Sequence, residues 1–421
     1  MKIKKSILVY DNCEFTFIAA YFAQYFEKVY YYSRWESGFP YYGAKNIGTG
    51  IDNIERVNEP ESIEDDVDIF YFTDIYFMGT ANRLRKEGRK VWGSGDMEMI
   101  ERNRHTFHDL LIEAGLPTPP TVFIKGFDKL LEYLKGKKNL WVKLSEYRGS
   151  GETFKWIDDN WNEFFVNEWK RQLGVGIRDK GVEFLVQEEI ETELEWGVDT
   201  YMVNSEFPEN MFMGFEQKGE SYYTKLVNVK DLPKEWQEVL EKFSNAVKKY
   251  KYTGTFSMEV RIGKDGKQYF IDPTVRQPFP ATASIMYLTE NYGDIILNAL
   301  YEEKTTKVKS KDKYGAEIIM RTSVTNNWIP AYVDKKFQDK VYFVDNIIED
   351  GTSLRVPPEQ LYCDSMKYCS ALGSGDTLEE AIKDATETAD EVKSKGLEWS
   401  NTMLESSKII IPQLKELGYK F

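Results

Sequence analysis

The sequence has few of the residues on which cysteine and histidine chemistry depends. Only three of its 421 residues are cysteines and only two are histidines. Cys13, Cys363 and Cys369 are too few and too irregularly spaced for a disulfide framework, and no C-x-x-C pair indicates zinc. The histidines, His105 and His108, lie one helical turn apart, which fits a partly buried pair better than a metal site. We therefore expect any chemistry to depend on carboxylates, lysine, arginine and a metal ion.

Several common sequence signatures are also missing. The chain has no GxxxxGK[ST] phosphate loop, no HExxH zinc motif and no GxSxG nucleophile turn. No apolar run approaches the length that spans a membrane. The first residues, MKIKKSILVYDNCEF, lack the long apolar core and the cleavage site of a signal peptide, and they predict a first β-strand. Together with the small number of cysteines, these absences favour a cytoplasmic protein with no membrane partner.

Negative charge is in excess, with a formal net charge of −14. Lysine and arginine are scattered among the acids, which argues against a broad surface for DNA or RNA. We therefore expect small molecules as partners. The length allows two or three domains, and the apolar fraction of 42% is enough for a sizeable core.

The order of apolar and amphipathic segments predicts an α/β region followed by α+β regions. Strands alternate with amphipathic stretches at the start of the chain, which is typical of a parallel sheet with helices on its faces. A smaller α+β unit follows, and then the alternation of strands and helices returns. The predicted strands of the first region are Ser6–Tyr10, Asp68–Thr73 and Arg89–Trp92.

Two helices have clear predicted ends. Asp96 has the side chain of an N-cap, and the helix that it begins would end near Gly115. A second helix is predicted over Leu378–Val392, where Thr377 and Glu380 match the capping-box pattern.

A predicted hairpin, TGTFSMEVRIGKDGKQYFID, has one acidic residue on each of its strands. Pairing of its strands across the GKDG turn would place Glu259 beside Asp272, with Arg261 and Arg276 nearby. Mg²⁺ often takes one or two carboxylates together with substrate phosphates, and arginine binds phosphate with a planar fork. The alternative is a surface hairpin with ion pairs across its strands.

Two further segments have features of a phosphate and nucleotide site. Lys143 lies inside the apolar strand LWVKL, where a charge is costly unless it is paired, and Gly149-Ser150-Gly151 follows. The strand FLV runs into Gln187-Glu188-Glu189-Ile190 and then Glu195, an edge that could hold adenine and ribose. A plain hairpin turn and a solvated acidic edge are the alternatives.

In this order the segments resemble the ATP-grasp superfamily. That family has a helix with E-x-x-[KR], a strand with lysine, a glycine-rich loop, a hinge of the v-x-E-E type, a further glutamate, and paired carboxylates ending in E-x-N-x-R. The matching residues are Glu101 and Arg104, Lys143, Gly149–Gly151, Gln187–Ile190, Glu195, and Glu259 with Asp272-Pro273-Thr274-Val275-Arg276. The resemblance covers most of the chain and is closest to the carboxylate–amine ligase branch.

The resemblance implies a mixed α/β and α+β architecture with the ATP-grasp fold. The expected domains are a Rossmann-like N-terminal domain at residues 1–95, an ATP-grasp domain at 96–300 and a small α+β C-terminal domain at 301–421. Within the ATP-grasp domain, residues 120–187 would form a lid and residues 188–300 the large subdomain.

The resemblance also implies roles for the matched residues. ATP phosphates would lie on Lys143 and Arg104 beneath the lid loop of Gly149, Ser150 and Gly151. Adenine would meet Gln187, Glu188, Glu189 and Ile190, and the ribose would meet Glu195. Mg²⁺ would bind Glu259 and Asp272, with a weaker or water-mediated contact from Thr274. Arg276, with Arg261 close by, would face the transferring phosphoryl group.

Three matched positions depart from the family pattern. Asp272 stands where glutamate is usual, Thr274 where asparagine is usual, and Arg104 where lysine is usual. The implied activity is ATP-dependent activation of a carboxylate as an acyl phosphate, followed by attack of an amine. The alternatives are a nucleotide-binding protein without turnover and a structural or assembly protein.

Substrate residues are predicted in two places. The stiff segment QPFPATAS follows Arg276 and would line the acceptor pocket through Gln277, Thr282 and Ser284, unless it is a plain loop into the next helix. The segment Gly214–Lys225 (GFEQKGESYYTK) is the second candidate, in which Lys218 and Lys225 could meet an anionic substrate. A homodimer is a further expectation, because dimers are common among enzymes of this kind.

Overall fold

The computed structural model describes most of the chain. The described residues are 2–33, 46–146, 153–172, 180–192, 194–324, 329–349, 353–356 and 366–421. The predicted glycine loop at Gly149–Gly151 lies outside them.

The first region is a five-stranded parallel sheet with helices on its faces. Its elements are β1 (Ile3–Asp11), α1 (Thr16–Tyr25), β2 (Phe26–Ser33), β3 (Ile54–Arg56), β4 (Ile69–Phe72), α2 (Met78–Lys86) and β5 (Lys90–Trp92). The strand order is β3-β2-β1-β4-β5. The three strands predicted from apolar runs are confirmed as β1, β4 and β5. Their apolar side chains are buried on both faces of the sheet.

The helix predicted from Asp96 to Gly115 is two helices, α3 (Glu98–Arg102) and α4 (Arg104–Glu113). The prediction of Asp96 as the N-cap is wrong, because Met97 occupies that position and the Asp96 carboxylate accepts a hydrogen bond from Asn82 Nδ2 at 2.6 Å. Asn103 breaks the helix and caps α4, accepting from the Thr106 amide at 2.8 Å. The break lets the Arg104 amide donate to the Ser145 carbonyl at 2.9 Å, so the start of α4 is tied to the neighbouring small sheet.

That small sheet has four antiparallel strands in the order β6-β9-β7-β8. Its elements are β6 (Thr121–Lys125), α5 (Phe127–Leu134), β7 (Leu140–Leu144), β8 (Thr153–Trp156), α6 (Asp159–Gln172) and β9 (Glu183–Glu188). Phe127, Leu130 and Leu134 of α5 pack with Phe184 and Trp169 in a core of their own. The small sheet therefore has a packing unit of its own, and its role as a lid stays a prediction.

A nine-stranded sheet forms the centre of the molecule. Its first strands and helices are β10 (Glu195–Met202), β11 (Asn210–Gln217), β12 (Ser221–Asn228), α7 (Lys234–Val247), β13 (Gly254–Ile262), β14 (Gln268–Thr274), α8 (Thr282–Leu288) and α9 (Tyr292–Leu297). The strand order along the sheet is β14-β13-β10-β11-β12 at this end. The predicted hairpin of β13 and β14 is confirmed.

The large sheet continues into the C-terminal region. Its remaining elements, with those of a four-stranded neighbour, are β15 (Tyr314–Thr322), β16 (Ile329–Val333), β17 (Val341–Phe343), β18 (Ile347–Glu349), β19 (Ser353–Val356), β20 (Met366–Gly375), α10 (Leu378–Asp390), β21 (Val392–Lys393), β22 (Leu397–Glu398) and α11 (Met403–Glu416). Strand β15 pairs with β12 on one side and with β20 on the other. The boundary near residue 300 stays a prediction, and the large sheet runs through it.

Helix α10 has the predicted capping box. The Thr377 side chain accepts from the Glu380 amide at 3.2 Å, and the Glu380 carboxylate accepts from the Thr377 amide at 3.0 Å. Leu378, Ile382, Ala385 and Ala389 of α10 are buried against the large sheet, and the helix ends at Asp390, two residues before the predicted Val392, which begins β21. Among the described residues, no helix has both the length and the apolarity to cross a lipid bilayer.

Candidate active site

The predicted carboxylate pair lies on adjacent strands. Glu259 of β13 is the register partner of Asp272 of β14, and the pairing shifts just after Glu259. Both side chains face a cavity of about 320 Å³ between the small and large sheets. The predicted position of Glu259 beside Asp272 is thus confirmed.

Asp272 is the meeting point of two cations. Lys143 Nζ lies 3.0 Å from its Oδ2 atom, and an Arg104 Nη atom lies 3.8 Å from Oδ1. Lys143 is only 7% exposed, and burial lowers its pKa while the charge of Asp272 acts in the opposite direction. Arg104 is fixed from behind, because its guanidinium donates to the Leu144 carbonyl at 2.6 Å. The cavity therefore holds positive charge at the place predicted for phosphates.

Glu259 is in an environment that opposes its ionisation. Burial raises the pKa of its carboxyl, and the neighbouring charge of Asp272 raises it further. A divalent cation between the two acids would reverse both effects, since it favours the charged carboxylates. The pair can supply two oxygen ligands of the kind that Mg²⁺ prefers.

A second ion cluster closes another side of the cavity. Arg261 Nε lies 2.8 Å from the Glu195 carboxylate, and Lys218 Nζ lies 3.5 Å from its other oxygen. Burial opposes ionisation of Glu195, but these cations outweigh it and hold the pKa of that carboxyl below its usual value. Arg261, predicted as catalytic, thus lies beside the predicted ribose residue at the cavity wall.

The predicted hinge contributes three of its four residues to the cavity wall, namely Gln187, Glu188 and Ile190. Glu189 instead accepts a hydrogen bond from Lys155 at 2.6 Å. Trp141 and Thr153 also line the cavity, although the sequence reasoning did not single them out. Both lie on strands of the small sheet.

Arg276 connects the hairpin to the first region. Its Nε atom lies 2.9 Å from Glu101 and 3.6 Å from Asp74, at the end of β4. The other oxygen of Glu101 accepts from the Val275 amide at 2.6 Å. Burial alone would lower the pKa of Arg276, but these two carboxylates raise it. Arg276 is thus held in its charged form at the edge of a second cavity.

This second cavity has a volume of about 350 Å³ and adjoins the first. Three residues, Glu195, Lys218 and Glu259, line both cavities. Thr274, predicted as a metal contact, lines the second cavity and is absent from the lining of the first. Two ligands bound in the two cavities would therefore meet beside Glu259.

The floor of the second cavity contains a buried carboxylate. Asp199 is 3% exposed and accepts hydrogen bonds from Tyr222 at 2.5 Å and from Ser257 at 2.7 Å. Burial raises its pKa to about 6. The Tyr222 ring lies so close to Gly214 that a side chain at this glycine would overlap it. Glycine at position 214 therefore makes room for the tyrosine of the floor.

Three predicted substrate residues do not line the second cavity. Gln277, Thr282 and Ser284 are at most 2% exposed. Gln277 Nε2 donates to Thr255 Oγ1 at 2.7 Å, and Thr282 Oγ1 donates to the Pro278 carbonyl at 2.7 Å. These two side chains hold the loop from inside, whereas its Pro278–Ala281 backbone and side chains form the cavity wall.

The two lysines predicted to meet an anionic substrate lie in different places. Lys218 lies between the cavities, while Lys225 Nζ donates to the Lys420 carbonyl at 2.7 Å and lines neither cavity. Glu216 and Tyr222 of the floor lie within the predicted substrate segment Gly214–Lys225, although that prediction gave a role only to its lysines, and it gave Asp199 no role. Asp199 interrupts an apolar strand, as Lys143 does, so the same rule could have found it.

Comparison with known proteins rests on structure. No protein-family model matches the chain, and no curated protein matches it. Phosphoribosylamine–glycine ligase from Thermotoga maritima matches with a TM-score of 0.71 at 16% identity, over 93% of this chain and 98% of that chain. L-amino acid ligase from Bacillus licheniformis matches with a TM-score of 0.61 at 16% identity, over 95% and 100%.

A third match is the biotin carboxylase domain of Hydrogenobacter thermophilus 2-oxoglutarate carboxylase, whose structure is a dimer in complex with MgADP, ADP and bicarbonate. Its TM-score is 0.66 at 12% identity, over 94% of this chain and 92% of that chain. These likenesses show that the chain has the ATP-grasp fold, as the order of its motifs predicted.

Proposed function

We propose that the protein is an ATP-dependent ligase that joins a carboxylate to an amine. The carboxylate is phosphorylated by ATP to an acyl phosphate, the amine attacks its carbonyl carbon, and phosphate leaves. The products are an amide, ADP and phosphate. Fold alone does not define a reaction, so the proposal rests on the residues of the two adjoining cavities.

The observation that supports the proposal most is the position of Glu259. It lies beside Asp272 on the wall of the cavity that contains Lys143, and it also lines the second cavity. A phosphoryl donor in the first cavity and an acceptor in the second would meet there. Phosphoryl transfer depends mainly on such alignment and on neutralisation of charge.

ATP and Mg²⁺ are the proposed cofactors. Among the described residues, no group of three or more acidic, histidine or cysteine side chains is arranged to hold a metal. The pair of Glu259 and Asp272 nevertheless fits Mg²⁺, which commonly takes one or two carboxylates and completes its shell with phosphate and water oxygens. Mg²⁺ would neutralise the charge that develops on the phosphate oxygens during transfer.

Side chains of the first cavity would bind the other parts of ATP. Lys143 and Arg104 would bind the phosphates, and Gln187, Glu188 and Ile190 would contact adenine. Glu195 would accept from the ribose hydroxyls while Arg261 holds it in place. These roles stay proposals, and so do the metal contact of Thr274, the lid function of Gly149–Gly151 and the homodimer.

Arg276 would act from the acceptor side. It lines the second cavity, so its guanidinium can face a carboxylate substrate and the oxygens of the transferring phosphoryl group. Glu101 and Asp74 fix its direction, which reduces the entropy lost when the substrate binds.

The sharpest experiment follows an oxygen atom. A panel of acids carrying ¹⁸O in the carboxylate is incubated with amines, ATP and Mg²⁺, and the phosphate released is analysed by mass spectrometry. An acyl phosphate transfers one labelled oxygen to phosphate in each turnover. ADP with unlabelled phosphate would contradict the acyl phosphate, and AMP as the product would contradict phosphoryl transfer altogether.

A second measurement separates the ligase from a nucleotide-binding protein without turnover. Binding of MgATP is measured by calorimetry, and ADP release is measured over the same panel of acids and amines. The proposal expects micromolar binding and ADP release only with a matching pair. Binding without ADP release from any pair would favour the protein without turnover.

A further inference from the structure

The second cavity has a polar floor and one apolar part in a wall that otherwise includes charged side chains such as Arg276 and Lys218. Asp199, Glu216 and Tyr222 form the floor, and the walls include Phe279 and Ile410. Ile410 belongs to helix α11 at the far end of the chain, more than 130 positions after Phe279. The C-terminal region therefore supplies part of the wall of a cavity whose other residues come from the centre of the chain.

Helix α11 is fixed against the edge of this cavity. Ser406 accepts a hydrogen bond from Gln217 Nε2 at 2.6 Å and lies 3.3 Å from the Tyr223 hydroxyl. Thr402 Oγ1 donates to Glu220 at 3.1 Å. These contacts attach the helix to the β11–β12 hairpin, so Ile410 is held at a defined place in the wall.

Phe279 is fixed by other C-terminal residues. The Lys367 ammonium lies 3.9 Å from the centre of its ring, in a cation–π contact. The following turn includes Ala281 with φ of +94°, a left-handed conformation that is unfavourable for alanine. Glu317 of β15 accepts from the Ala281 amide at 3.4 Å and from the Ser284 amide at 3.3 Å, which supports this turn.

A cavity with this pattern favours a ligand that is polar at one end and apolar at the other. We propose that the acceptor substrate carries an apolar group that packs against Phe279 and Ile410, and that Ile410 sets the largest group that fits. The inference rests on the proposed function. The polar reacting end lies towards Lys218 and Glu259, where the two cavities meet. The volume of about 350 Å³ suits a small metabolite.

The neighbouring isoleucine provides a matched control. Ile409 is 61% exposed, whereas Ile410 is partly buried against the core. Each is replaced by alanine and by tryptophan, giving Ile410→Ala, Ile410→Trp, Ile409→Ala and Ile409→Trp. ADP release is measured with acids and amines in which one partner grows by one methylene at a time.

We expect Ile410→Ala to favour substrates with a longer apolar group than the natural protein prefers, and Ile410→Trp to favour substrates with a shorter one. One methylene in an apolar pocket changes kcat/KM by about 10-fold or more, so the shift is measurable. MgATP affinity, measured by calorimetry, stays as in the natural protein because Ile410 lines only the second cavity. The Ile409 variants keep the natural length profile.

The outcomes separate the inference from the function on which it rests. ADP release with an unchanged length profile in both Ile410 variants would overturn the inference and leave the ligase intact. The same holds if the Ile409 variants shift the profile equally. If MgATP binds but no pair releases ADP from the natural protein, the ligase proposal fails and the inference fails with it.

Discussion

The two cavities balance their charges in different ways. In the first cavity, acids lie against cations, with Lys143 at 3.0 Å from Asp272 and Arg261 at 2.8 Å from Glu195. At the second cavity, Asp199 is held by two hydroxyl groups. Behind its wall, Glu317 is completely buried and is held by Ser370 and backbone amides. The first cavity contains these two ion pairs, whereas the second has, besides the ion-paired Arg276 and Glu195, one carboxylate with neutral donors on its floor and another behind its wall.

This difference has a physical consequence. An ion pair keeps both partners charged over a wide pH range, because each partner stabilises the charged form of the other. A carboxylate that receives only neutral hydrogen bonds in a buried place has a raised pKa, to about 6 for Asp199 and about 7 for Glu317. Ion-paired Glu195 is therefore charged at neutral pH, whereas the charge of Asp199 and Glu317 can change near neutral pH, as can that of Glu259, which lines both cavities.

The largest expected effect comes from removing the acid pair of the first cavity. The double variant Glu259→Gln, Asp272→Asn should lose ADP release by about 1,000-fold or more, because metal-ion stabilisation contributes several kcal/mol to such transition states. The measurement is a coupled assay of ADP with a matching acid and amine.

Asp265→Asn is the control for this variant. Asp265 lies in the turn of the same hairpin and is exposed, so its loss should leave ADP release nearly unchanged. A double variant that keeps more than a tenth of the natural rate would remove the basis for a metal at these two acids.

The next effect concerns affinity. Lys143→Met keeps the apolar stem of the side chain and removes its charge from beside Asp272. We expect MgATP binding to weaken by about 100-fold, since a hydrogen bond to a charged group contributes about 1.5–3 kcal/mol. Calorimetry measures the change, with Lys264→Met, an exposed lysine in the hairpin turn, as the control. Equal affinities for the two variants would exclude Lys143 as a phosphate ligand.

Sequence reasoning succeeded where local pattern and burial agree. The alternation of β13 and β14, with a GKDG turn between them, was enough to place Glu259 opposite Asp272. Lys143 was found because a charge inside an apolar strand requires a partner. The same rule predicts buried partners for Asp199 and Glu317, which also interrupt apolar strands.

Other features depend on contacts between distant parts of the chain. Whether Thr282 faces the cavity or the interior is decided by how the turn before α8 packs, which residue type alone does not show. The helix break at Asn103 lets the Arg104 amide donate to the Ser145 carbonyl, a contact between distant positions of the chain that local pattern does not show. Ile410 could not be linked to Phe279, because only the packing of α11 brings them to one cavity.

The smallest expected effect concerns Glu317, the buried carboxylate with neutral hydrogen-bond donors behind the wall of the second cavity. Its pKa in the folded state is raised from its usual value near 4.5 to about 7, chiefly by burial. The folded state therefore holds this proton more tightly than the unfolded state, and the contribution of Glu317 to stability falls as pH rises from about 4.5 to 7. Glu317→Gln has no such dependence. Its free energy of unfolding, relative to the natural protein, should rise by about 2 kcal/mol across this range, as measured by urea unfolding at pH 5 and pH 8.

Glu379→Gln, at an exposed position of α10, controls for the loss of one negative charge. A difference between Glu317→Gln and the natural protein that is the same at both pH values would mean that Glu317 is ionised throughout, and the contrast between the two cavities would not extend to this residue.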